Sequence, residues 1–271
     1  MSSGFDQAAA ERAVQLASDK AGLTELVASV DRILEAVATD PPAPAVEQGD
    51  EARSFLVVAY GRAYRATRSV RLLAAAPNCE ADDAIVVCRT LVSVVARSLW
   101  LAEPEHLADR AYRFLQWRCC YAHDERFTLV DLRRQGFEVD RELYDQVGRA
   151  AKSMKGVEPM PGDRALLKEL GLSHIYAQVH RRGSDVAHWS LGSAADGFIG
   201  PVTPGVLEGR TVPLQNPQPE RAALVLAFAA ITYGTFLERC EPFIRHGQTG
   251  LASSLLRDWT SKYGDESEAG V

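Results

Sequence analysis

Apolar residues along this chain recur mostly at spacings of three and four, and few segments alternate with period two. That periodicity predicts helices and leaves little for a sheet. With 46% hydrophobic content over 271 residues there is ample material for a sizeable core, in one large domain or two small ones. The predicted class is all-α: a helical bundle core with an N-terminal helical extension and a long Gly/Pro-rich loop.

The most apolar stretch, "AALVLAFAAITYGTFL" (Ala222 to Leu237), is shorter than the roughly 20 residues a membrane span needs. It reads as a central buried helix, with Gly234 allowing another helix to approach. Upstream, "AAERAVQLASDKAGLTELVASVDRILEAVA" reads as one or two amphipathic helices with a break at Gly22. "TDPPAPAVEQGD" follows as a turn-rich linker. The expected division is an extension over 1–40, a bundle core over 48–263 and a disordered tail over 264–271. Within the core, "EARSFLVVAYGRAYRATRSVRLLAAA" predicts a long helix with Arg53, Arg62, Arg65, Arg68 and Arg71 on its polar face. "EADDAIVVCRTLVSVVARSLWLAE" predicts the next, and Pro104 is expected to start a third. "RELYDQVGRAAKSMKG" should close at Gly156, and Ser173 can N-cap a helix running through His188. The Gly/Pro-rich segment 189–219 has room for a short hairpin in "DGFIGPV" and "RTVPL".

Charge and cysteine content narrow the function classes. The formal net charge of -6 gives no strongly basic balance of the kind that advertises a nucleic-acid binder. The five cysteines, with Cys119 and Cys120 adjacent and no C-x-x-C pair, suit free thiols in a reducing compartment. The N-terminus carries acids early and has no apolar h-region, which predicts no signal peptide and a cytoplasmic protein away from membranes. Cys119 and His123 make half a metal site and no second pair has ligand spacing, so neither metal nor cofactor is expected. "GSAADG" lacks the strand and the lysine of a phosphate loop.

The stretch with chemical content is "HRRGSDVAHW", His180 to Trp189. On a regular helix, His174, Gln178, Arg181, Asp185 and His188 share one polar stripe. Leu172, Ile175, Val179, Arg182, Val186 and Trp189 share a neighbouring one, apolar except for Arg182. Arginine presents a donor fork that matches phosphate oxygens, and histidine moves protons near neutrality. The candidate catalytic set is therefore His188, Arg182, Arg181 and Asp185. An ordinary surface helix shows the same two faces, with Arg181 and Asp185 as an i,i+4 pair.

Two resemblances accompany these residues. "RLLAAAPNCEADDAIVVCRTLVSVVARSLWLAEPEHLADRAYRFLQW", continued by "IYAQVHRRGSDVAH", resembles a bacterial family of helical domains of unknown function over residues 52 to about 190. Its Tyr…Ser…His ending corresponds to Tyr176, Ser184 and His188. The helix bearing Arg89 usually carries a glutamate four residues on in that family, and this chain has Ser93 there. Tyr176, His180, Ser184 and Arg89 are the candidate phosphate or ligand contacts. The spacing from Arg182 or Arg181 to His188 is also similar to the Arg-x(4–6)-His motif of the HEPN superfamily of helical bundles. That resemblance implies a metal-independent endoribonuclease, of toxin or defence type, with arginine on the scissile phosphate, histidine on the 2′-hydroxyl proton, RNA as partner and a site formed across a homodimer. Arg118 to His123 meets the same spacing. Two readings stay open: a helical binding module, oligomeric in form, and a HEPN-like ribonuclease.

Overall fold

A computed structural model describes residues 20–39, 43–44, 49–76, 81–181, 219–248, 250–251 and 253–254. Helix α1 is Lys20–Thr39, followed by the two-residue strand β1, Ala43–Pro44. Then come α2 (Glu51–Ala74), α3 (Ala81–Ala102), α4 (Leu107–Arg134), α5 (Arg141–Ser153) and α6 (Asp163–Glu169). The short α7 (Ser173–Ile175) runs directly into a π-helical segment, Tyr176–Arg181. Helix α8 (Pro219–Cys240) and strand β2 (Ile244–Arg245) complete the described elements. The protein is all-α, as its periodicity predicts.

Helix α8 is the axis of the bundle. From Ala222 to Leu237 every residue except Leu224 is buried, as a helix that is apolar on all sides must be. It packs against α1, α2 and α3. Six of those residues are alanines or the single Gly234, and such small side chains let neighbouring backbones come close. Helix α2 presents Ala52, Leu56, Ala59, Ala63, Val70 and Ala74 to the core, a stripe at spacings of three and four. Helix α1 contributes Leu23, Leu26, Val30, Ile33, Leu34 and Val37 to the same cluster. It runs unbroken through Gly22. The linker after α1 returns to the bundle, because β1 pairs antiparallel with β2, Ala43 opposite Arg245 and Pro44 opposite Ile244. Helices α3 and α8 are long and apolar enough to cross a membrane by length and composition, and here most of each apolar window is buried.

Helix α4 starts at Leu107, three residues beyond the proline expected to begin it. The reason is Arg110. Its Nη1 donates to the carbonyls of Pro104 and Glu105, both at 2.7 Å, so those carbonyls turn inward and the helix begins after them. Its Nε and Nη2 meet Asp50 Oδ2 at 2.8 and 2.7 Å. Asp50 also caps α2, accepting from the Arg53 amide at 3.1 Å. Arg110 and Asp50 are only 3% and 1% exposed. Beyond this anchor Trp117 packs on Phe55, ring centroids 4.8 Å apart. Further along, α4 leaves the bundle and pairs with α5 around a small core of Cys119, Ala122, Ala151 and Met154. Cys88, Cys119, Cys120 and Cys240 are free thiols, and burial pushes those of Cys88 and Cys240 far up, out of the reactive range.

Removing one partner of a buried, fully bonded ion pair strands the other charge. Arg110→Ala is therefore expected to destabilise the fold by about 3–5 kcal/mol in denaturant titration, with α4 the first element to lose amide-exchange protection. Arg118→Ala, on the exposed side of α4, should change stability by less than about 0.5 kcal/mol.

Candidate functional site

Three elements meet at one open cleft: the outer face of α3, the start of α6 and the π-helical turn. On α3, Arg89, Ser93 and Arg97 follow one another at intervals of four and so share a face. Helix α6 begins with Asp163, preceded by Gly162 in extended conformation. The chain then reverses at Gly171, whose φ of +75° suits glycine, and enters α7. Leu172, Ile175 and Val179 are buried, the apolar stripe that the spacing predicts. Their burial seats the π turn against α3 and α6.

The Asp163 carboxylate is the hub. Its Oδ2 accepts from Ser93 Oγ at 2.7 Å and meets His180 Nε2 at 2.8 Å. Its Oδ1 accepts from Arg97 Nε at 2.9 Å. Burial alone would raise this carboxyl. The Ser93 hydroxyl, the Arg97 guanidinium and the His180 ring outweigh burial and hold it below the usual aspartate range. An ionised Asp163 fixes the tautomer of neutral His180, because the nitrogen facing it must carry the proton. Nδ1 is then left with its lone pair and has no partner among the described residues. The Tyr176 ring stacks on that imidazole, centroids 5.1 Å apart and planes 17° apart. The buried His246 is a contrast. Its Nε2 lies 2.7 Å from the Leu237 carbonyl and its Nδ1 accepts from the Gln248 amide at 3.0 Å. Both ring nitrogens are engaged, so it is a structural residue.

The cleft has a volume of about 610 Å³. Tyr176 and His180 form one wall, Gly162 and Ala165 leave space beside them, and Arg97, Arg164 and Lys168 supply cationic side chains. Among the described residues, three fixed cations thus line the cleft with one carboxylate, and that carboxylate is already bonded to three groups. Neither Arg164 nor Lys168 has a carboxylate partner among the described residues. Among those residues no three metal-binding side chains converge.

The residues singled out in the sequence fall into three groups. Tyr176 and His180 line the cleft. Arg89 lies on the α3 face two turns from Arg97, about 12 Å along the axis, and outside the cleft lining; Arg181 ends the π turn, with only its backbone described. Arg182, Ser184, Asp185 and His188 lie outside the described residues, as do the expected hairpin and the tail. The helix expected to run regularly from Ser173 winds as a π-helix from Tyr176. The wider winding of a π-helix departs from the 100° per residue assumed for this stretch, over the described residues Tyr176–Arg181. Asp163, Arg97, Arg164 and Lys168 were not visible as site residues, because their meeting with His180 is tertiary.

Compared with family models, curated proteins and solved structures, the chain matches none.

A carboxylate held below its unfolded value binds fewer protons in the folded state. Its stabilisation is therefore complete above the unfolded value of about 3.9 and is lost as the pH falls through the folded value. Asp163→Asn is expected to lower stability at pH 7 by about 1–3 kcal/mol. The gap between variant and wild type should close below about pH 4. Urea titrations from pH 7 to pH 2.5 check this, and a gap independent of pH would contradict the ionised hub.

Proposed function

We propose that the chain is a helical binding module whose cleft between α3, α6 and the π turn takes a phosphate-bearing ligand. The supporting observation is the charge pattern. Among the described residues, Arg164 and Lys168 have no carboxylate partner, and the one carboxylate lining the cleft is bonded to Ser93, Arg97 and His180. In a chain of net charge -6, a local excess of cations needs a reason, and phosphate oxygens answer it with charge-assisted bonds. His180 Nδ1 adds a group that accepts a proton when the ring is neutral and donates one when it is charged. Calorimetric titration with inorganic phosphate should show binding that weakens with ionic strength. The Arg164→Glu/Lys168→Glu double variant should bind at least tenfold more weakly with unchanged melting temperature. Equal affinity in the double variant would overturn this reading.

A second reading is favoured by one specific observation. The Arg-x5-His stretch begins one residue after the π turn, and π-helical turns occur frequently at functional sites. On the HEPN-like reading, Arg182 or Arg181 binds the scissile phosphate of RNA and His188 takes the 2′-hydroxyl proton. The expected outcome is RNA cleavage without added metal by the wild-type chain and at least a hundredfold loss in His188→Ala. Equal cleavage by both, or by neither, would exclude it.

A further inference from the structure

We infer that the ligand of this cleft is a nucleoside phosphate, with its base against the Tyr176–His180 pair and its phosphate on the Arg164–Lys168 side; this rests on the phosphate-binding reading above. The first ground is size. At about 610 Å³, the cleft falls within the 300–1,000 Å³ of pockets that hold small organic molecules, and an inorganic anion would leave most of it as solvent. The second ground is the wall. Tyr176 and His180 are stacked within 17° of parallel, so they offer a flat, preformed π surface. The side chains hold each other in place, and Asp163 fixes the imidazole from its edge. Base–aromatic stacking tolerates any base, because every base has a π-face. The third ground is room beside the wall. Residue 162 is glycine, and a Cβ built there would meet nothing within 4 Å; Ala165, which also lines the cleft, adds only a methyl group. The fourth ground is charge. The cations Arg164 and Lys168 sit four residues apart on α6 and therefore on one face, where both can meet a single phosphate.

The shared chemistry is a nucleoside monophosphate unit, supplied either as the free nucleotide or as part of a single-stranded RNA. The experiment titrates the full chain with four probes: inorganic phosphate, adenosine, adenosine monophosphate and a short oligoadenylate. It uses wild type, Tyr176→Leu and Tyr176→Phe. Adenosine monophosphate is expected to bind at least tenfold more tightly than phosphate or adenosine. Tyr176→Leu should lose that advantage while keeping its affinity for phosphate. Tyr176→Phe, which keeps the ring, should retain the advantage and so separates stacking from misfolding. Tighter binding of oligoadenylate than of the mononucleotide, still dependent on the ring at 176, would support the inference and identify RNA as the source. Equal affinity for phosphate and nucleotide, or a nucleotide preference untouched by Tyr176→Leu, would overturn it and leave the phosphate reading standing. Absence of binding to phosphate and nucleotide alike would overturn both.

Discussion

Enclosing α8 is the requirement from which the remaining architecture follows. A helix with apolar residues on all sides has no face to give to water, so other helices must surround it. Helices α1, α2 and α3 do so, and their own apolar stripes are thereby used up. Helix α3 lies between α8 and the α6–π segment and packs on both, and the row containing Arg89, Ser93 and Arg97 is left polar. The site forms where that row meets α6. Its location is therefore a by-product of how the apolar helix is covered.

Two arginine–aspartate clusters divide the labour. Arg110 and Asp50 are sealed from solvent, satisfy two backbone carbonyls and a helix cap, and have no capacity left for a ligand. Arg97 and Asp163 use similar groups with one side open. There the carboxylate stays charged because three donors hold it, and His180, Arg164 and Lys168 line an open cleft, the two cations without a carboxylate partner among the described residues. The same ion-pair chemistry is closed off as a fastening in one place and left open to solvent in the other. Solvent access makes the difference.

The fold class was legible because helical periodicity and total hydrophobicity are local and additive along the chain. The burial of Ala222 to Leu237, Leu224 excepted, follows from continuous apolarity, and that of Leu172, Ile175 and Val179 from spacing. What spacing missed depends on long-range partners. The start of α4 moved because Arg110 captures carbonyls that would otherwise open the helix. Gly22 lies within the first turn of α1 as described, which begins at Lys20. Tyr176 and His180 were picked out by pattern, yet the placing of His180 depends on Asp163, which is 17 residues before it in the chain and meets it across the reversal at Gly171. A serine at position 93 looked like the loss of a carboxylate; in space it binds one.

Helix α6 is only seven residues long, and it is held from both ends. Arg97, Ser93 and His180 grip its first residue. Arg113 reaches Glu169 at 2.9 Å, and Arg239 donates to the Leu170 carbonyl at 3.0 Å while pairing with Glu103. The two grips are unequal in kind. Those at the far end come from α4 and α8, away from the cleft, whereas Arg97 and His180 at the near end line it. One end of this short rod is thus moored to the bundle core and the other to the walls of the cleft itself. With no free turn at either end, Arg164 and Lys168 are carried on a platform whose position is set by its neighbours and not by its own length.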